Sequence, residues 1–440
     1  MKKKSVLLFA TIAALPHASF ALTLQEAIKA TMKQPFIEST KDYTQSAKTE
    51  LKEARARFFP VLDIAAVDVL GKYRTEYEQN NKAQEFDQSY ISNRPTLRAT
   101  VYQNIYNQGL LRRIEANKVN IKHQEDRTKM HQDEYALNTA ALYVAILGAQ
   151  QDIATFQKSI KQLNEIKDAL KGHDANQVSL AKVDAELAAR QVALSNIQLD
   201  LSRLQSEFQQ MTGLVDQKLE KVELAENELP QDFEQARQRL EKNNKKLTYK
   251  GSEIDLQQAL NHELATSSFV PDVLATFSAD QSLNSISDYK STVGSDVSSN
   301  RDSKSNNITA QIAAVWRFSA VEKYAVVRDA ELRNGQIKEK RAILLDLIAG
   351  LQDNMNRLKI FSNKQKSLEK ELTNTNIVAA YSIKKLKNGE ISDVVLNDAI
   401  DYTLKSTSNE KSISDLETSR LTAAFNILSL TGDLTEKFNK

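Results

Sequence analysis

Two apolar periods divide this chain. Val183, Leu187, Leu194, Ile197, Leu201, Leu204, Phe208 and Met211 fall on alternating steps of three and four, with Arg190 the polar member of the series. That repeat predicts a coiled-coil helix. An outgoing partner carries Ile114, Val119 and Ile121, the apolar run from Ala136 to Ala149, then Ile153, Phe156, Ile160, Leu163, Ile166 and Leu170. Between the two lies Lys171-Gly172-His173-Asp174-Ala175-Asn176-Gln177, a strong turn signal. Residues 109–212 therefore read as a helical hairpin, its outgoing arm of about 60 residues roughly 95 Å long.

Before this rod the period changes. Thr23 with Glu26 three residues later forms a capping box that opens a helix, with a kink or restart at Pro35 and an end at Phe59-Pro60. Residues 61–71 and 95–106 then read as strands long enough to cross a bilayer when tilted, separated by a polar loop over 72–94. The same order returns in the second half. A helix over about 232–268 ends at Phe269-Val270-Pro271, and strands follow over 272–282 and 307–317 with a polar loop between them. Ile308, Ala310, Ile312, Ala314 and Trp316 share one face of the last strand. A second rod over about 319–387 breaks at Lys387-Asn388-Gly389. Its return arm carries Ile413, Leu416, Ala423, Ile427 and Leu430 and ends at Thr431-Gly432, as the first ended at Thr212-Gly213. The chain is read as a duplication, 22–220 and 221–440, preceded by a signal peptide at 1–21 with Lys2 to Lys4, an apolar core and small residues at the cleavage site.

Composition narrows the function. With 59 basic and 57 acidic residues, nothing suggests nucleic acid. Cysteine is absent, which excludes disulfides and thiolate metal sites. His123 and His131 are too far apart on one helix to share a metal, and no Gly-rich phosphate loop occurs, so no enzyme, metal or cofactor is expected. Strands in lipid must pair all their backbone groups, and four cannot close a barrel, so the sheet edges must be completed by further copies. The object inferred is an oligomeric outer-membrane barrel continued by a long helical tube.

Several short motifs in order now matter. Thr23-Leu24-Gln25-Glu26-Ala27, Glu53-Ala54-Arg55 with Phe59-Pro60, Gln103 to Gly109, Ala141-Leu142-Tyr143, Thr212-Gly213, and Gly389-Glu390-Ile391-Ser392 with Asp398-Ala399 resemble the successive landmarks of the TolC family of outer-membrane efflux proteins. The resemblance implies a mainly helical fold with a transmembrane contribution: a homotrimer whose 12-stranded β-barrel continues as a 12-helix α-barrel tunnel in the periplasm. It implies a passive exit duct of a tripartite efflux pump or type I secretion system. Its partners would be outer-membrane lipid, a periplasmic adaptor and an inner-membrane transporter of RND, ABC or MFS type. The chain departs from the family at Arg317-Phe318-Ser319-Ala320, where proline and glycine are usual, at Asn176, where glycine is usual, and at Val395, where an acid is frequent. Asparagine tolerates the left-handed conformation, so the first turn survives.

Three sets of candidate residues follow. If Ser392, Val395, Ala399 and Tyr402 continue the coiled-coil seam, Asp398 and Asp401 lie together off it. Repeated around a tube, they would form an acidic, cation-attracting pore constriction; the bland alternative is a solvated helix face. Gly172, Asn176, Gln177, Ser179, Asn388, Gly389 and Glu390 are candidate adaptor contacts at the hairpin tips, against plain turn chemistry. Tyr73, Tyr90, Tyr102, Tyr106, Phe277, Trp316 and Phe318 are candidates for a membrane-interface girdle, against loop packing. The competing functional class is a periplasmic coiled-coil adaptor or structural protein, which would lack membrane strands.

Overall fold

The capping box forms as its sequence requires. Thr23 Oγ1 accepts from Glu26 N–H at 3.2 Å while Glu26 Oε2 accepts from Thr23 N–H at 2.9 Å, and together they start α1 (Leu24–Thr31). Pro35 is a restart rather than a kink, because proline suits the first helical position, and α2 runs Pro35–Ala56. This computed structural model describes residues 21–77, 86–173, 177–215, 218–224, 228–266, 270–291, 301–316 and 320–438. Residues 1–20 of the expected signal peptide (1–21), Asn176, Phe318 and the join at 317–319 lie outside the described residues.

The remaining elements are β1 (Val61–Tyr77), β2 (Phe86–Tyr106), α3 (Gln108–Lys171), α4 (Gln177–Thr212), α5 (Phe233–Asn243), α6 (Lys245–Thr266), β3 (Asp272–Ser291), β4 (Arg301–Val315), α7 (Ala320–Lys387), α8 (Asp393–Leu430) and α9 (Leu434–Phe438). The strands are longer than expected at their outer ends. The stretches read as loops are largely ladder, with Lys72 opposite Ile91 and Ser285 opposite Asp302. A hydrogen-bonded ladder continues in water without an apolar face, so polar sequence did not mark its end. The chain divides into two compact units. One comprises 1–42, 125–250 and 339–440; the other comprises 43–124 and 251–338.

The second unit holds an antiparallel sheet in the order β1-β2-β3-β4. Its register sorts side chains by chemistry. Leu62, Val101, Phe277 and Ala310 lie in one row across the strands, and Ile64, Ala99, Ala279 and Ile308 in a parallel row on the same face. Alternating with them are Asp63, Thr100, Ser278 and Thr309, then Ala65, Arg98, Asp280 and Asn307, on the opposite face. On that polar face Arg98 Nε meets Asp280 Oδ1 at 2.6 Å. Leu62, Ile64, Ile308 and Ile312 on the apolar face are exposed in the single chain. Among the described residues no helix is long and apolar enough to cross a membrane.

The first unit holds most of the long hairpins, all but the first stretches of α3 and α7. One core gathers Leu24, Ile28, Ala140, Tyr143, Phe208, Leu421, Phe425 and Leu434. The Tyr143 hydroxyl lies between the carbonyls of Leu22 at 2.5 Å and Glu220 at 2.7 Å, where burial pushes the phenol up to about 12 and keeps it a donor. It thereby fastens the backbone pair in which Leu22 N–H donates to the Lys218 carbonyl at 2.7 Å. A second core at the hairpin ends joins Leu163, Ile166, Leu170, Val183 and Leu187 of the first hairpin to Ile383, Leu386, Leu396, Ala399 and Ile400 of the second. Gly213 and Gly432, which end α4 and α8, both adopt positive φ, as expected of helix-terminating glycines.

Candidate functional site: the hairpin tips and the acidic side of α8

The core at the hairpin ends brings the two turns together. His173 Nε2 lies 3.4 Å from the Lys387 carbonyl, and Lys387 Nζ pairs with Glu165 Oε2 at 2.7 Å, so ring and ion pair both tie one tip to the other. Gly389 sits beneath the His173 ring at φ +87°, and a Cβ there would lie 3.3 Å from His173 Cε1. Glycine is therefore favoured by its backbone conformation, and a side chain there would also press on the exposed His173 ring. Next to it Lys385 pairs with Glu390 at 3.1 Å, a hydrogen bond that holds the Lys385 ammonium above its ordinary pKa. Ser392 then caps α8 by accepting from Val395 N–H at 3.3 Å.

Of the tip candidates, Gly172, Gln177, Asn388, Gly389 and Glu390 are exposed, whereas Ser179 is buried on the packed side of α4. His173, Lys387 and Glu165 were not singled out from sequence. A histidine in a turn carries no periodic signal, and its partner is distant in the chain.

The seam expected on α8 is displaced. Leu396, Ala399, Ile400 and Thr403 are buried, while Ser392 is exposed and Val395 and Tyr402 are half-buried; Ala399 alone is common to both sets. The heptad count was carried back through polar positions, and over that distance a 3.6-residue helix drifts from a 3.5-residue repeat. Asp398 is half-buried and Asp401 exposed, and both lie off the packed side. One turn further, Lys405 pairs with Glu371 of α7 at 3.0 Å. Among the described residues no group of three or more His, Cys, Asp or Glu could hold a metal ion within one chain.

The aromatic candidates separate by register. Phe277 lies on the apolar face of the sheet, whereas Tyr102 shares a row with Thr276 and Gln311 on the polar face. Tyr73 and Tyr90 are register partners. Tyr106, at a register shift near the end of β2, hydrogen-bonds Gln108, and Trp316 is exposed immediately past β4.

No protein-family model matches this chain, and no curated protein matches its sequence. Solved structures do match in fold. The chain is similar to CusC, reported in connection with transmembrane channel formation, at TM-score 0.71 and 12% identity over 93% of this chain and 92% of that one. It is similar to the CmeC outer membrane channel of Campylobacter jejuni at TM-score 0.72 and 12% identity, over 93% and 85% of the two chains. It is similar to the outer membrane protein VceC of Vibrio cholerae at TM-score 0.69 and 11% identity, over 93% and 96%. Nearly the whole chain thus shares the fold of these outer-membrane proteins.

Proposed function

From the fold of an outer-membrane channel, we propose that this chain is an outer-membrane exit duct that carries small molecules or polypeptides outward without catalysing a reaction. The observation that carries the reading is the sheet register, which puts apolar rows on one face and polar rows on the other. An apolar face meets lipid and a polar face lines water only if the sheet curls into a barrel. Edge strands β1 and β4 need partners, and in the long hairpins α4 and α7 keep exposed Val178, Val192, Leu199, Ile360, Ile377 and Tyr381. Three copies would give the 12-stranded barrel and 12-helix tunnel of the family, with the repeats at 22–220 and 221–440 as its building blocks. An adaptor, itself coupled to an inner-membrane transporter, would meet the tips, where Gly172, Gln177, Asn388 and Glu390 are exposed. Phe277 and Trp316 suit the lipid interface. The periplasmic adaptor reading is not favoured, because it leaves the apolar sheet face without a use.

Asp398 and Asp401 lie about nine and twelve residues past Gly389, so roughly 14 to 18 Å from the tip along the helix. Three copies would gather six carboxylates in a narrow tube, and such rings bind cations. In planar bilayers, multivalent cations should block conductance of the wild type. Asp398→Ala combined with Asp401→Ala should weaken that block and leave a trimer in native mass spectrometry. A double variant blocked as tightly as wild type would remove these acids from the lumen, and a wild-type monomer in detergent would sink the assembly.

A further inference from the structure

Two Asn-Gly pairs occur in this chain, Asn334-Gly335 and Asn388-Gly389. An asparagine followed by glycine is open to loss of its side-chain ammonia, because no Cβ on the glycine shields the backbone nitrogen that attacks. Both pairs are exposed, so access of solvent does not separate them. Their backbone settings do. Asn334-Gly335 lies inside α7, and a Cβ on Gly335 would meet nothing within 4 Å among the described residues. Asn388-Gly389 lies just past the end of α7, in the turn of the second tip.

Few bonds close that turn. Asn388 N–H donates to the Lys384 carbonyl, Gly389 N–H to that of Leu386 and Glu390 N–H to that of Lys385, each at 3.1 Å. The last two are the paired bonds of a Schellman ending, with Gly389 at φ +87°. For the glycine nitrogen to reach the asparagine side chain, the asparagine ψ must leave its helical value and the glycine N–H its carbonyl. At Gly389 this opens only a helix end, where local opening is easiest. At Gly335 it breaks the hydrogen-bond ladder within a helix. We propose that Asn388 is a site of spontaneous deamidation, and that the reaction unfastens the second tip from the first.

The reaction consumes water alone. The Gly389 nitrogen, its proton lost to solvent base, bonds to Asn388 Cγ; the Cγ–Nδ2 bond breaks, ammonia leaves, and a cyclic imide remains. Water then opens the imide. Attack at Cγ gives aspartate in an ordinary chain, and attack at the backbone carbonyl carbon gives isoaspartate, linked to Gly389 through its side chain. Either product places a carboxylate at the C-terminal end of α7, where the helix dipole is already negative, next to the carboxylate of Glu390. Isoaspartate also inserts a methylene into the backbone ahead of Gly389, so the spacing that lets Gly389 and Glu390 reach Leu386 and Lys385 is lost. Gly389 then leaves the His173 ring, and with it goes the approach of His173 Nε2 to the Lys387 carbonyl at 3.4 Å. This chemistry is independent of any export role.

Ageing the full chain in detergent at mildly alkaline pH tests it, with peptide mass spectrometry at intervals and an isoaspartyl methyltransferase to count isoaspartate. Asn388 should convert at least about tenfold faster than Asn334, a factor that about 1.4 kcal/mol less opening free energy supplies. Asn388→Gln, whose ring would need a sixth member, should stay intact at the tip and leave the rate at Asn334 unchanged. In the aged wild type, hydrogen exchange of the 384–391 amides should lose protection in the isoaspartate fraction. Asn334 converting as fast as Asn388 would overturn the proposal. So would an intact Asn388 at a time when a synthetic peptide of residues 384–394 has fully converted. Unchanged exchange in the isoaspartate fraction would overturn the unfastening of the tips.

Discussion

α4 and α8 are the return arms of two hairpins of similar design, yet α8 is buried along most of its length and α4 only towards its ends. α4 buries Ser179, Val183 and Leu187 near the tip and Phe208 and Thr212 at the far end, while Leu194, Ile197, Leu201 and Leu204 are half-buried. α8 buries residues from Leu396 to Leu428, including Thr403, Ser406, Thr407, Asn409 and Ser414. The difference is one of neighbours. α8 lies directly on α3, through Lys158 with Glu410 at 2.5 Å, Lys411 with Asp152 at 3.0 Å, and Thr418 against Gly148. This middle stretch of the contact is polar. Asp152 Oδ1, Thr155 Oγ1 and Ser159 Oγ on α3, and Thr403 Oγ1 and Asn409 Nδ2 on α8, are buried without a hydrogen-bond partner from the protein. Buried groups of this kind demand water or a rearranged neighbour. The hairpins are thus joined firmly by apolar cores at each end and weakly in between.

The largest effect should therefore come from the apolar end of α8. Phe425 is fully exposed to the core and not to solvent, packed with Leu421, Leu428 and the Phe438 ring. Phe425→Ala should cost about 3–5 kcal/mol through lost burial and a cavity. Thermal unfolding in detergent measures it. A loss below about 1 kcal/mol would mean that the site collapses around the deletion and that α8 is not the central helix of this core.

Much of this contrast could be read in the sequence, and its remainder could not, for a physical reason. Apolar periodicity located Val183, Leu187 and Phe208 on α4 and Ile427 on α8, which pack in apolar cores, and also the buried Leu416 and Ala423 on α8. It could not locate Thr403, Ser406 or Asn409, since a buried polar residue has the same letter as an exposed one. The same blindness displaced the seam around Asp398 and hid the contact of His173 with Gly389. The order of helices, strands and rods was legible because punctuation at Phe59-Pro60 and Val270-Pro271, or at Gly213 and Gly432, is local backbone chemistry. The strand rows on the sheet were legible only in part. Ile308, Ala310, Ile312 and Ala314 alternate strictly, but the facing rows on β1 and β2 need the register to be known.

Arg190 sharpens the comparison on a smaller scale. It is the polar member of the α4 seam, its guanidinium lies 5.7 Å from the Phe156 ring centroid, and its Nε is buried without a hydrogen-bond partner. Arg190→Met keeps an unbranched chain over Phe156, loses the cation–π contact, and removes the unsatisfied donor. The donor costs about 1–3 kcal/mol and the contact is worth about 0.5–2 kcal/mol, so the two largely offset and mid-range values leave the variant a gain of about 1 kcal/mol. A clear loss in the same melting experiment would show that the guanidinium has a partner when copies assemble.

The smallest effect on the single chain should separate an edge helix from a merely solvated one. Val178, Val192 and Leu199 recur at heptad spacing on α4 and are 65%, 62% and 70% exposed, a stripe distinct from the packed one. An apolar heptad stripe on a long helix is a surface for another helix, and nothing among the described residues covers it. Val192→Gln puts a good helix former at an exposed position, so stability of the single chain should change by no more than about 0.5 kcal/mol. If copies pack on this stripe, assembly buries one amide per interface, at about 1–3 kcal/mol each where no partner is found. Native mass spectrometry across a dilution series should then show the variant dissociating at higher concentration than wild type, with unchanged secondary structure. Identical dissociation would leave the stripe outside the interface between copies and make the exposed side of α7, with Ile360, Ile377 and Tyr381, the surface to vary next.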